Sequence, residues 1–219
     1  MRVKDTEKEH RRLIEISQFE RPFWDRNIAV AGMDEVGRGP LAGPVVAACV
    51  MLPPDCLIEG VKDSKKLSKK QLPLIYDQIM NNAIAVGTGW VDEKIIDEVN
   101  ILRATKRAFK LAYLNMNAAC ENVFVDAVKD LDIPAKQYPI IHGDALCYSI
   151  AAASIVAKVE RDRFMNKIAE LYPQYGFEKN VGYGTEQHIK ALAEFGPCPI
   201  HRRSFLKNFS NILPNNYEK

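Results

Sequence analysis

Residues 28–52 decide the fold, and they read IAVAGMDEVGRGPLAGPVVAACVML. Two apolar runs, 28–33 and 45–52, stand on either side of a segment in which Gly37, Gly39 and Pro40 interrupt the chain. Short apolar runs bounded by glycine and proline are typical of buried strands. We therefore predict two neighbouring strands that are covered on both faces.

The rest of the chain continues with strands and helices in alternation. Further strands are predicted at 84–91, 123–126 and 138–141, and helices at 69–82, 92–119, 149–171 and 186–195. The 92–119 segment is predicted to break near Asn100, and an amphipathic helix is predicted to end before Pro22. Residues 172–185 are predicted to form a structured loop. This order of elements indicates an α/β domain with a mixed sheet.

Composition places the chain among ordinary globular proteins. Its 219 residues are 47% hydrophobic and 26% charged, so one core can form without a disulfide or a metal. The formal net charge of +2 permits a nucleic-acid partner without indicating one. The five scattered cysteines predict reduced thiols in a cytoplasmic protein. The sequence has neither a serine-hydrolase elbow nor a phosphate-binding P-loop, which argues against those enzyme classes.

Four carboxylates stand at or near the ends of predicted strands. Asp34 and Glu35 follow the first strand, Asp126 closes the fourth, and Asp144 comes shortly after the fifth. Ligand sites form at strand ends along one edge of an α/β sheet, and carboxylates gathered there repel one another unless a cation compensates. A hard divalent ion with oxygen ligands relieves that repulsion. The pattern predicts a metal site suited to phosphoryl transfer.

Each acid also has a simpler interpretation that the sequence leaves open. Any of them can be a turn or helix-capping residue, and Asp144 can cap the helix after it. Neighbours on a regular strand point to opposite faces, so Glu35 joins Asp34 only if the strand ends or distorts there. The glycines at positions 37 and 39 favour such a distortion.

Three polar segments are candidates for substrate binding. Arg38 stands between two glycines, which let the backbone approach a ligand, and its side chain can hold a phosphate. The cluster at 63–66, with Ser64 and Lys65, is a second candidate for phosphate contacts. Tyr183 lies in a Gly-Tyr-Gly frame and can stack on a nucleotide. A tight turn, a solvated loop and a half-buried tyrosine are the respective alternatives.

Together these segments closely resemble the bacterial ribonuclease HII family. The opening signature GMDEVGRGPLAGPV (32–45) is followed in family order by DSKKLS (63–68), VD (125–126), GD (143–144), SIAAASIVAKVERDR (149–163), GYGT (182–185) and HRRSF (201–205). The motifs extend over residues 28–206, nearly the whole chain. The resemblance implies an α/β ribonuclease H-like fold: a five-stranded mixed sheet flanked by helices, with a helical C-terminal part.

The resemblance also implies an activity and a ligand set. The expected enzyme is a metal-dependent endoribonuclease that cuts RNA in RNA–DNA hybrids and cuts 5′ to single ribonucleotides in duplex DNA, leaving 3′-hydroxyl and 5′-phosphate ends. The positions that match the catalytic ligands of Mn²⁺ or Mg²⁺ are Asp34, Glu35, Asp126 and Asp144. Gly37, Arg38 and Gly39 match the segment that reads the ribose 2′-hydroxyl and its phosphate, Lys65 matches a phosphate-contacting lysine, and Tyr183 matches the tyrosine that stacks at the RNA–DNA junction. Ser64, beside Lys65 in the same cluster, is a further expected substrate-binding residue.

Several expectations complete this interpretation. We expect an N-terminal helical extension (1–26), a catalytic domain with C-terminal helices (27–207) and a basic, polar tail (208–219). We expect a cytoplasmic monomer without a membrane contact or an obligate protein partner. Ala127-Val128 and His142 depart from the family, in which Gly-Asn and Lys are more usual. The competing hypotheses are a sister ribonuclease H type that prefers long hybrids and a nucleic-acid-binding module without catalysis.

Overall fold

The computed structural model describes residues 3–214, leaving out the side chains of residues 3–5 and 210. One mixed sheet contains five strands: β1 (Ala31–Val36), β2 (Val45–Met51), β3 (Ala85–Val91), β4 (Asn122–Asp126) and β5 (Lys136–Ile140). The strand order is β3-β2-β1-β4-β5. The pairs β1–β2 and β2–β3 are antiparallel, whereas β1–β4 and β4–β5 are parallel. The predicted five-stranded mixed sheet is therefore confirmed.

Helices flank the sheet and form the C-terminal part of the described chain. They are α1 (Val3–Ile16), α2 (Arg21–Trp24), α3 (Gln71–Asn82), α4 (Glu93–Val99), α5 (Ile101–Asn115), α6 (Gly143–Leu146), α7 (Tyr148–Leu171), α8 (Phe177–Asn180), α9 (Glu186–Phe195) and α10 (Arg203–Leu206). Short 3₁₀ helices span Ser64–Lys66, Pro173–Tyr175 and Lys207–Ile212. Within residues 3–214, no helix has the length and apolarity that a membrane crossing requires.

The sheet is buried on both faces, as the apolar runs predict. Every residue of β2 is buried, and its side chains alternate between two cores. Ala48 and Val50 pack in the core beneath α7, whereas Ala47 and Cys49 pack in the core beneath α5. Because neighbouring strand residues face opposite sides, a strand covered on both faces must be apolar throughout.

Glycine brings the sheet and the helix α7 into backbone contact. A Cβ atom at Gly32 would lie 2.0 Å from the carbonyl carbon of Ser149, so no larger residue fits between β1 and α7. Alanines at the start of α7 are buried against the same face. This close approach fixes β1 relative to the N-terminal end of α7.

Several sequence-based boundaries need correction. The first strand begins at Ala31 and continues to Val36, so it lies three residues further along than the apolar run 28–33. The N-terminal helix ends at Ile16, and Pro22 lies in the first turn of α2, where its missing N–H costs nothing. The segment 172–185 contains α8 and the 3₁₀ helix Pro173–Tyr175, which the sequence interpretation treated as a loop.

Most of the other predicted elements agree with the structure. The helix α9 has the predicted bounds, and Asn100 separates α4 from α5 with a φ of 71°. At the start of α3, Ser68 and Gln71 form a reciprocal pair of hydrogen bonds, since the backbone N–H of each donates to the side chain of the other.

The N-terminal segment packs on the core between the sheet and α7. Leu13 and Trp24 are buried in the core beneath α7. The buried Glu20 carboxylate accepts the backbone N–H of Ser149 at 2.8 Å, and so caps the start of α7 from a distant part of the sequence. The division into an extension, a catalytic domain and a tail stays a prediction, and residues 215–219 of the tail lie outside the described residues.

Candidate active site

Asp34 and Glu35 lie within β1 rather than after it. The β1–β2 ladder is regular through both residues, which pair with Ala48 and Ala47. Neighbouring strand residues face opposite sides. Asp34 therefore lies on the same face of the sheet as Gly32, the face covered by α7, and Glu35 lies on the opposite face. The strand neither ends nor distorts before Glu35, so the predicted condition for placing both carboxylates on one face is not met. Glu35 lies one residue before the end of β1, and its charge still interacts with those of Asp34 and Asp126.

Asp126 and Asp144 lie near the same edge of the sheet. Strands β1 and β4 run in parallel, so Asp126 at the last position of β4 is close to Asp34. Asp126 Oδ1 accepts the backbone N–H of Gly143 at 2.7 Å, which ties β4 to the one-turn helix α6. Asp144 is inside α6, and it does not cap α7. The capping alternative for Asp144 is thus wrong.

Asp34 interacts electrostatically with the other three carboxylates. Burial raises the pKa of Asp34 well above its usual value, and repulsion from Glu35, Asp126 and Asp144 adds to this rise. Burial also raises the pKa of Asp126 and of Glu35. A cluster of acids in which repulsion disfavours the ionised form is stabilised by a bound cation.

Two basic side chains partly neutralise the negative charge of these carboxylates. Lys65 Nζ donates to Asp144 Oδ2 at 2.8 Å, and this bond raises the pKa of Lys65. Arg38 Nη1 donates to Glu35 Oε1 at 3.2 Å, while Glu35 Oε2 is buried and has no hydrogen-bond partner. Among residues 3–214, no three His, Cys, Asp or Glu side chains are arranged to hold one metal ion. The unpartnered oxygen and the mutual repulsion nevertheless fit a divalent ion that prefers oxygen ligands.

A buried arginine is hydrogen-bonded to the backbone of the loop after β1. Arg202 is fully buried, and its guanidinium donates to the carbonyl oxygens of Gly37 at 2.6 Å, Arg38 at 3.0 Å and Gly43 at 2.9 Å. Gly37 has a φ of 90°, and a Cβ atom there would lie 2.3 Å from Arg161 Nε. The glycine is therefore required by both the backbone conformation and the close approach.

A second buried arginine links this loop to the loop that carries Tyr183. Arg161 is fully buried and donates to the carbonyl oxygens of Pro44 at 2.9 Å, Ala42 at 3.1 Å and Val181 at 2.9 Å. Burial lowers the pKa of Arg161 to about 10, and that of Arg202 to about 9, so both stay charged at neutral pH.

The two guanidinium groups have a clear electrostatic consequence. Carbonyl oxygens of the loop turn inward toward two buried positive charges, and none of the guanidinium hydrogen bonds described for Arg161 and Arg202 goes to a carboxylate. A buried charge is costly unless it is hydrogen-bonded, as both guanidinium groups are. It also raises the potential at the nearby surface, which favours an anion such as phosphate. Sequence reasoning missed both residues as functional candidates, although both lie in the motifs that carry the resemblance.

The predicted substrate-binding residues fall into two groups. Tyr183 is 45% exposed, and a Cβ atom at Gly39 would lie 3.6 Å from its ring, so these two candidates share one surface. Lys65 is exposed beside the carboxylates. Ser64 is buried, and its backbone N–H donates to Ser154 Oγ on α7, so its side chain is less accessible than the sequence suggests.

Comparison with known proteins identifies the family of this chain. Residues 31–208 match the family model described as Ribonuclease HII. The chain is 52% identical to Ribonuclease HII of Acetivibrio thermocellus, over 93% of this chain and 80% of that protein. It is 49% identical to Ribonuclease HII of Caldanaerobacter subterraneus, over 92% of this chain and 84% of that protein.

A solved structure shares the fold. The ribonuclease H2 of Pyrococcus horikoshii aligns with a TM-score of 0.69 and 27% identity, over 81% of this chain and 93% of that protein. The family match covers the sheet, the four carboxylates and both buried arginines. The chain belongs to the ribonuclease HII family, whose members are endoribonucleases that act on RNA–DNA hybrids.

Proposed function

We propose that this ribonuclease H cuts the RNA strand of RNA–DNA hybrids and also cuts 5′ to single ribonucleotides in duplex DNA. The products are a 3′-hydroxyl and a 5′-phosphate. The observation that carries the proposal is the placement of Asp34, Glu35, Asp126 and Asp144 near the ends of the parallel strands β1 and β4, where Asp126 bonds the N–H of Gly143 beside Asp144 and Asp34 interacts with the other three carboxylates. Such a cluster suits phosphodiester hydrolysis when a metal ion is present.

The four carboxylates are the proposed metal ligands. Family members depend on metal ions, and Mg²⁺ or Mn²⁺ matches a site built only of carboxylate oxygens. When bound, such an ion supplies Lewis-acid chemistry and activates water. Asp34 is the central ligand in this proposal, because its carboxylate interacts with the other three.

The loop at 37–39 and Tyr183 form the proposed substrate-reading surface. The backbone of Gly37 and Gly39 contacts the ribose 2′-hydroxyl, the group that distinguishes RNA from DNA. Arg38 holds the adjacent phosphate, and the buried charges of Arg161 and Arg202 favour that anion. Tyr183 stacks at the RNA–DNA junction, and its place beside Gly39 supports this role.

Lys65 and Ser64 complete the proposed surface. The Lys65 ammonium, paired with Asp144 in the structure, contacts a substrate phosphate when the carboxylates bind metal. The buried Ser64 holds the short helix that carries Lys65 against α7, through its N–H bond to Ser154. We further propose that the protein acts as a cytoplasmic monomer.

The Asp34→Asn variant tests the metal-site proposal. The amide keeps the size of the side chain but removes the charge, so cleavage should fall by about 10²-fold or more while duplex binding is retained. Asp77→Asn is a matched control, because Asp77 is an exposed acid on α3. A wild-type rate in Asp34→Asn would contradict the proposed site.

The Tyr183→Ala variant tests the substrate-reading surface. Loss of base stacking should cost about 1–3 kcal/mol of binding at the junction, with little change in thermal stability. Tyr183→Phe keeps the ring and should cut single-ribonucleotide duplexes at nearly the wild-type rate. If Tyr183→Ala also cuts them normally, Tyr183 is an ordinary surface tyrosine.

A further inference from the structure

A buried pair of histidines contacts the backbone of Tyr183. His188 on α9 places Nδ1 at 2.9 Å from the Tyr183 carbonyl oxygen, and its Nε2 lies 2.9 Å from His201 Nε2. His201 Nδ1 in turn accepts the backbone N–H of Cys198 at 2.9 Å. The two rings are 0% and 3% exposed, so water does not compete for these bonds.

One arrangement of protons satisfies the whole chain of bonds. A carbonyl oxygen only accepts, so His188 Nδ1 carries a hydrogen and His188 Nε2 is the acceptor of the neutral ring. His201 Nε2 must then donate to it, which leaves His201 Nδ1 to accept the N–H of Cys198. With both rings neutral, donation therefore runs from Cys198 to Tyr183; His201 Nδ1 also lies 3.2 Å from the Cys198 carbonyl oxygen.

The surroundings keep both rings neutral. The imidazoles pack against the aromatic rings of Tyr175 and Phe177. Burial lowers the pKa of His188, and burial together with its neighbour lowers that of His201 to about 4. At neutral pH the chain of bonds is therefore complete.

Other contacts also hold the backbone around Tyr183. Its carbonyl oxygen also accepts the N–H of Thr185 at 2.8 Å, and its own N–H donates to Asn180. On one side, the buried Gly182 donates its N–H to Asn180 Oδ1 and accepts the N–H of Leu41, each at 2.8 Å, whereas Gly184 on the other side is exposed. The bond from His188 comes from the rigid helix α9, whereas that from Thr185 comes from the adjoining turn.

We propose that His188 and His201 are positioning residues that fix the orientation of Tyr183 toward the substrate. Neither histidine touches the reacting atoms. Their effect is to order the backbone that carries the ring, so that binding at the junction does not first have to immobilise it. The proposal rests on the junction contact proposed for Tyr183. It adds that His188 and His201 hold Tyr183 in the orientation that this contact requires.

A double-mutant cycle tests this inference. His188→Leu removes the bond to Tyr183 and should raise KM for a duplex with one ribonucleotide about tenfold, with a smaller effect on kcat. His188→Asn keeps a donor near the Nδ1 position and should recover most of that loss. In the Tyr183→Ala background, His188→Leu should have little further effect, because the ring it positions is absent. Gln187→Leu, an exposed position on the same helix, is the control.

The outcomes separate the two proposals. If His188→Leu raises KM just as much in the Tyr183→Ala background, the positioning role is overturned and the junction contact is not. The same holds if His188→Asn does not recover the KM of the wild type. No effect of Tyr183→Ala itself overturns the junction contact, and the positioning role with it. Circular dichroism at the assay temperature checks folding. If His188→Leu is unfolded, the same cycle is run with His201→Leu, which removes the donor to His188 and should give a loss in the same direction.

Discussion

Replacing Gly32 by alanine should damage both stability and catalysis, because Gly32 is the point at which β1 contacts α7. The added Cβ would lie 2.0 Å from the Ser149 carbonyl carbon and 2.4 Å from the Ile150 nitrogen. All the nearest atoms belong to the α7 backbone, so no side chain can rotate away. Asp34 follows two residues later on β1, and Asp144 precedes α7 by a few residues.

The size of the effect follows from these distances. Ordinary contact begins at about 3.4 Å, so strand and helix must separate by about 1.4 Å. Overpacking a core typically costs 1–3 kcal/mol, and a clash between backbones should reach the upper end, at about 3 kcal/mol. A shift of about 1 Å between catalytic groups can cost about 10²-fold in rate.

Urea denaturation measures the loss of stability. The loss of rate is measured as cleavage of a single-ribonucleotide duplex, at a temperature at which the variant is folded. Gly87→Ala is the matched control, since its Cβ would lie 2.1 Å from the Ala112 oxygen on the α5 face of the edge strand β3. It should lose similar stability and keep most of its rate. The reasoning would be refuted if Gly32→Ala had a free energy of unfolding within about 1 kcal/mol of wild type and a cleavage rate within about threefold of wild type.

Three further predictions concern other parts of the chain. Lys65→Met should weaken substrate binding and reduce the slope of log affinity against log salt by about one, and an unchanged slope would show that Lys65 contacts no phosphate. Ala127 has a φ of 49°, so Ala127→Gly should raise the free energy of unfolding in urea by about 0.5–1 kcal/mol, and a decrease would contradict the strain. The folded-state pKa of His201, about 4, is below its unfolded value, so its stabilising contribution should be complete above pH 6.5 and decline by about 3 kcal/mol as pH falls to 4. The difference in unfolding free energy between wild type and His201→Gln should follow that decline, and a pH-independent difference would contradict it.

The sequence predicts most of the fold because the apolar runs are continuous and their boundaries carry glycine, proline or capping residues. Its main error lies at β1, where the apolar run ends at Met33 but the ladder continues through Asp34 and Glu35. Polar residues inside a buried strand break the usual pattern, and that break marks the functional site. Ala127 shows a related limit: the alanine itself does not indicate a left-handed backbone, although the glycine that is more usual in the family at this position is consistent with one.

The four carboxylates could be found from the sequence because each lies at or near a strand end. The residues that hold the backbone around the site could not be found in this way. Arg161, Arg202, His188 and His201 act through bonds to distant backbone carbonyls or to each other, and their spacing matches no metal or catalytic pattern. Such long-range contacts become visible only when the fold brings the residues together.

The central claim is that the carboxylate cluster cuts at a ribonucleotide with the help of a metal ion. The most direct test is a labelled DNA duplex with one ribonucleotide, incubated with the protein and Mg²⁺ or Mn²⁺, and in parallel with a chelator. We expect a cut on the 5′ side of the ribonucleotide that leaves a 3′-hydroxyl and disappears with the chelator. Cleavage that persists with the chelator would contradict the claim, as would cleavage of long hybrids alone.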